Sequence, residues 1–178
     1  LVAVASNDDE RGSVLTSLAT FTAVADTVYQ ISVDGYRGAS GLINLAITSN
    51  YVPNDNFADR TPLSGASITV TGSNLGATLE SGEPKNGGVT GGSSAWWSWT
   101  APAAGLVNIT TAGSTFDSNL GVYVGSSLTT LTPIAANDDE ARSILTSRAT
   151  FTAIAGQVYQ ISVDGYRGAS GQISFTID

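Results

Sequence analysis

Through much of this chain, apolar and polar residues trade places at every second position. In residues 27–34, Tyr29, Ile31 and Val33 alternate with Gln30, Ser32 and Asp34, the period of a strand with one buried face. Residues 43–47 do the same, with Ile43, Leu45 and Ile47 set against Asn44 and Ala46. Residues 1–5 read as the end of a strand and residues 19–24 as another, parted from 27–34 by a turn at Ala25 and Asp26. Residues 66–72, 94–100, 106–111 and 120–125 are further strands, bounded by turn-forming Gly, Pro, Asn and Asp. The run SAWWSWT at 94–100 puts Ala95, Trp97 and Trp99 on one face and Trp96 with Ser98 on the other, so a central core strand is expected there. No long stretch keeps a helical period.

The alternation is written twice. Residues 7–41, NDDERGSVLTSLATFTAVADTVYQISVDGYRGASG, return as NDDEARSILTSRATFTAIAGQVYQISVDGYRGASG at 137–171. Pairing each residue n with n+130 aligns 1–48 with 131–178 without a gap, and about two-thirds of the pairs are identical, the mark of an internal repeat. The second copy follows a long segment, 51–130, that has no counterpart before the first. A complete repeat is therefore expected over residues 49–178, with 1–48 the back half of a preceding one. That implies either a stretch of a longer tandem array or a subunit whose missing front half comes from a neighbour. Eight or nine short strands per repeat predict an all-β fold, an antiparallel β-sandwich of jelly-roll-like topology.

Composition narrows the function. Hydrophobic residues make up 42% of the chain, enough for a core, and Lys+Arg 7 against Asp+Glu 15 gives a net charge of -8. The basic residues are scattered singly, which argues against nucleic acid and anionic membrane surfaces, both of which attract clustered cations. No apolar run approaches the ~20 residues of a membrane span. No signal-peptide pattern opens the chain, so an export signal would lie upstream. Cys, His and Met are absent, which removes disulfides, thiolate metal sites and the commonest general base. A serine-type hydrolase lacks its base, nothing sets two carboxylates across a cleft as a glycosidase needs, and no enzyme is expected. An extracellular protein without disulfides needs another staple, and this composition offers calcium, which takes carboxylate, amide and carbonyl oxygens.

Candidate ligands cluster at two acidic turns, Asn7, Asp8, Asp9 and Glu10 in the first copy and Asn137, Asp138, Asp139 and Glu140 in the second. Packed carboxylates repel unless a cation or water screens them. Asp117 is expected to join the second cluster if the strand it introduces lies beside the one ending at Ala135. In the 51–130 segment, Asn54 and Asp55 are a further candidate set together with Glu80 and Glu83. Asp34 and Asp164, each in VDGYRG, read as turn-formers bonded to their own backbone. Trp96 alone of the three tryptophans stays open as an exposed contact for a sugar. Tyr36 and Tyr166, each beside an Arg, are the other aromatic candidates.

The run SAWWSWTAPAAGLVNITT, then FDSNLGVYVG, the NDDE turn, the strand ending in VDGYRGASG and the closing ISFTI resemble the bacterial pre-peptidase C-terminal domain. PNDNFADRTPLSG and GEPKNGG resemble the leader that often precedes it. The resemblance covers residues 54–178 and, through the repeat, 1–48. It implies a β-sandwich of the kind found at the ends of secreted proteases and in tandem in large bacterial surface proteins. In collagenase relatives calcium is held between an Asn-Asp leader and an acidic loop, which Asn54, Asp55 and Glu83 match. The expectation is thus a calcium-stiffened structural repeat of a secreted fibre, stalk or adhesin on the bacterial cell surface, with neighbouring copies of the repeat as partners. The alternative is a polysaccharide- or collagen-binding module attached to a secreted enzyme.

Overall fold

In the computed structural model, residues 1–24 and 26–178 are described, so Ala25 of the expected 25–26 turn lies outside them. The chain divides into two units, Leu1–Thr48 and Ser49–Asp178.

The second unit is all-β, with nine strands: β1 (Thr61–Leu63), β2 (Ile68–Ser73), β3 (Ala95–Thr100), β4 (Gly105–Thr110), β5 (Ser118–Val124), β6 (Thr132–Asn137), β7 (Arg148–Ala153), β8 (Val158–Gly165) and β9 (Gln172–Ile177). They form a five-stranded sheet, β1-β3-β8-β5-β6, and a four-stranded one, β2-β9-β4-β7. All pairs are antiparallel except β1 with β3, an architecture consistent with a β-sandwich. Alternation decides the faces: Trp97, Trp99, Ile161, Val163, Leu120 and Val122 from one sheet join Ile109, Phe151, Ile173, Phe175 and Ile177 from the other in a single core.

Two expectations need adjusting. Trp96 does point away from Trp97 and Trp99, but it is wholly buried against Phe57 and Tyr123 in a second, smaller cluster. The leader covers this outer face of the five-stranded sheet, so no tryptophan of the strand is left exposed. The tryptophan strand β3 is an interior core strand as expected, paired with β8 on one side and with the three-residue β1 on the other. β1 was missed in the sequence because Pro62 interrupts its pattern; the structure places it at a sheet edge, where a residue lacking an N–H is tolerated.

The first unit differs. The segments 1–5, 19–24, 27–34 and 43–47 hold no strand among the described residues; the unit has an isolated bridge between Arg11 and Val14 and a 3-10 turn at Tyr36–Gly38. The cause lies in the topology of the second unit. There, β6 pairs only with β5, β7 only with β4, β8 with β3 and β5, and β9 with β2 and β4. No two strands from residues 131–178 pair with each other, so every ladder this stretch makes requires strands from 49–130. Residues 1–48 spell the same four strands but carry no β1–β5 equivalents, and an unpaired strand is not stable.

Candidate metal centre

Local turns set up the acidic loops. The Asn137 side-chain oxygen accepts the Arg148 N–H at 2.9 Å, Glu140 N–H donates to the Thr146 carbonyl at 2.7 Å, and Ala141 bridges Ile144. The Ser147 hydroxyl donates to the Asp138 carbonyl. This closed loop leaves Asn137 as a turn-former and frees the carboxylates of Asp138 and Asp139. β5 pairs with β6, Leu120 opposite Asn137, which brings the lead-in to β5, and with it Asp117, alongside.

Asp117, Asp138 and Asp139 meet: one oxygen from each lies within 4.8 Å of the others. One oxygen of each, Oδ1, is buried without a hydrogen-bond donor from the protein. Burial, and then the neighbouring Asp139 carboxylate, push the Asp117 carboxyl up from its ordinary range. Burial pushes Asp138 up too, followed by Asp139 and Asp117. Asn119, fully buried with neither side-chain atom bonded, lies two residues after Asp117 and next to Leu120, which pairs with Asn137. Gly87, at φ +60, passes so close that a Cβ there would lie 3.0 Å from the Asp138 nitrogen, so the glycine-rich loop can approach the acidic turn only with glycine at this position.

Such a group is costly in water-poor surroundings unless a cation neutralises it. All-oxygen donors with three negative charges suit a hard divalent ion, with carbonyls and water completing the six to eight oxygens calcium takes. An ion here would tie the entry to β5 to the loop between β6 and β7. It would thereby clamp residues 49–130 to residues 131–178.

The other expected ligands have different partners. In the first copy the loop keeps its form: Asn7 Oδ1 accepts the Leu18 N–H at 3.0 Å, Glu10 N–H donates to Thr16 at 2.7 Å, and Ser17 donates to the Asp8 carbonyl. Among the described residues, Asp8 and Asp9 nevertheless join no group of three carboxylates, and Asp117 has no equivalent within 1–48. In the leader, the buried Asn54 side chain donates to the Trp96 carbonyl at 2.9 Å, and the Asp55 carboxylate accepts the Thr78 N–H and hydroxyl at 2.7 and 3.0 Å. Glu80 accepts the Phe57 N–H and Glu83 the Glu80 N–H, each at 2.8 Å. Burial raises the Glu83 carboxyl, against hydrogen bonds from Ser94 and the Glu80 backbone that lower it. These acids hold the leader onto the sheet; among the described residues, the three-carboxylate group is the one at Asp117, Asp138 and Asp139.

Asp164 does more than the sequence indicated. Besides its own turn, Gly165 N–H to Oδ1 at 2.7 Å, it accepts the N–H groups of Gly92 and Ser93 at 2.8 to 3.1 Å. The glycine-rich loop is thereby anchored to β8. A side chain at Gly91 would collide with this carboxylate. In both copies the Arg of VDGYRG stacks on its neighbouring tyrosine, 5.1 Å from the ring centre at Arg37 and at Arg167.

No protein-family model matches the chain, and no curated protein matches it.

Proposed function

We propose that this chain is a non-catalytic structural module: a jelly-roll-like sandwich, related to the pre-peptidase C-terminal domain and used in tandem in a bacterial cell-surface fibre, stalk or adhesin. In this reading it is stiffened by calcium and its open half-repeat is completed by a neighbouring repeat or subunit. The observation that carries the proposal is the carboxylate group at Asp117, Asp138 and Asp139, each with a buried oxygen lacking a donor. It lies where a cation would join the two halves of the repeat, which is a use of metal for cohesion rather than chemistry. The repeated 1–48 sequence supports the tandem and neighbour part of the reading. Burial of all three strand tryptophans leaves that strand without an exposed aromatic platform of the kind sugar-binding modules use.

Thermal unfolding with and without calcium tests this. With ~1 mM calcium and a site of ~10 to 100 μM, the ion adds roughly 1.4 to 2.7 kcal/mol, a rise of several degrees in the melting temperature of the 49–178 unit. Asp139→Asn should abolish the rise, while Asp9→Asn should leave it intact. An unchanged melting temperature in saturating calcium would remove the metal from the account.

A further inference from the structure

Residues 1–48 carry the strand-forming pattern of β6–β9 with nothing to pair against. Their inward-facing residues are correspondingly bare: Phe21 is 40% exposed against 7% for Phe151, Ile31 55% against 0% for Ile161, and Ile47 73% against 0% for Ile177. The local turns that would orient them are already formed, since the acidic loop, the 3-10 turn after VDG and the Tyr29 hydroxyl bond from the Val24 N–H all match the second copy. What covers this surface follows from the ladders of the second unit. A β8-type strand needs β3 and β5 on its two sides, and a β9-type strand needs β2 and β4.

Two nearby sources are excluded. The chain cannot use its own 49–130. If 1–48 took the place of 131–178, Thr48 would stand where Asp178 does, beside Ser67, to which Asp178 is hydrogen-bonded at 2.9 Å. Asn50, though, packs against Gly76, in a turn tied to Gly171 at the opposite end of β9 through Asn74 N–H. β9 is six residues long, ~20 Å, and the two residues from Thr48 to Asn50 reach only ~7 Å. Closing the gap would tear the buried Val52 and Asn54 from the fold. A second copy does not help either. Each copy of residues 1–178 brings one front half and two back halves, so exchange between such copies always leaves as many back halves unpaired as before and gains no ladder.

We propose that residues 1–48 are a docking surface for a β1–β5-type segment, like residues 49–130, that lies outside residues 1–178 and holds no back half of its own. Docking interleaves five strands with four and builds a sandwich like the second unit. The inference rests on the repeat reading above and narrows its neighbour to this kind of segment.

The test adds a tagged polypeptide of residues 49–130 to the full chain by co-expression and follows backbone hydrogen exchange at 28–34 and 42–47. The expected result is a one-to-one complex in which exchange at those amides slows at least 100-fold, with no such complex for Ile31→Asp. Because the tagged segment by itself has unpaired strands, a second variant places an extra copy of 49–130 ahead of Leu1. Fast exchange at 28–34 and 42–47 in that variant overturns the proposal whether or not the separate segment folds. Slow exchange in the unmodified chain also overturns it, as a monomer by self-completion and as a dimer by making a second copy the occupant. Each measurement is repeated with a chelator, so that failure of the calcium reading shows as a calcium-independent complex and not as loss of docking.

Discussion

Residues 1–48 and 131–178 are close to the same sequence in two circumstances, and the features they share separate cleanly from those they do not. Both close the acidic loop with the same side-chain and backbone bonds, both form the 3-10 turn YRG with its Arg at a positive φ of 50 or 53, and both set a tyrosine hydroxyl on the N–H five residues before it. These interactions span at most a dozen residues. Strands form in one copy alone, because each needs a partner from 49–130. Turn chemistry is thus encoded within the stretch, whereas sheet formation is a property of the pair of halves.

Paired substitutions sharpen this contrast. The largest difference is expected in the core: Ile161→Ala should cost the 49–178 unit about 2 to 5 kcal/mol by cavity formation, and Ile31→Ala less than about 0.5 kcal/mol, both read from urea unfolding of that unit. Next come the two turn aspartates. Asp164→Ala strands three N–H donors, one buried and two partly buried, and should cost about 2 to 4 kcal/mol, while Asp34, which is exposed and, among the described residues, accepts from Gly35 alone, should be replaceable by Ala within about 0.5 kcal/mol.

The smallest effect is on pH dependence. Asp117 and Asp138 are raised in the folded state by burial and by neighbouring carboxylates. The native protein therefore takes up protons at a higher pH than the unfolded chain, and calcium-free stability should increase as pH falls from neutral through their raised range toward the ordinary carboxylate value. Asp138→Asn should flatten this rise, whereas saturating calcium should reverse it, since protonation then competes with the ion. Melting temperatures between pH 7 and 5 report both, with a shift of about one or two degrees.

Much of this architecture was legible in the residues. The alternation located eight of the nine strands of the second unit to within a residue or two, because each presents one face to a core and the period survives. The same reading put strands in 1–48, where the pattern is present but the partners are not; periodicity records which face a strand would bury, not whether anything is there to pair. Asp117 joined the second acidic turn through the β5–β6 pairing, the strand neighbourhood on which that expectation rested. The leader acids went the other way: Asp55, Glu80 and Glu83 had the composition of a metal site, but their oxygens accept backbone N–H groups of Thr78, Phe57 and Glu80. No residue pattern separates a carboxylate that caps a loop from one that awaits an ion, since the difference lies in which distant N–H the fold brings near.

The most direct test of the claim that a back half gains its strands only from a front half is hydrogen exchange of the unmodified chain, compared at 28–34 and 158–164, where the two copies are identical for seven residues. The account predicts exchange at 158–164 near the limit set by global unfolding and at 28–34 close to the unprotected rate, a gap of roughly a thousandfold or more. Equal protection of the two would show that the 1–48 stretch forms its own ladders, and would contradict the account.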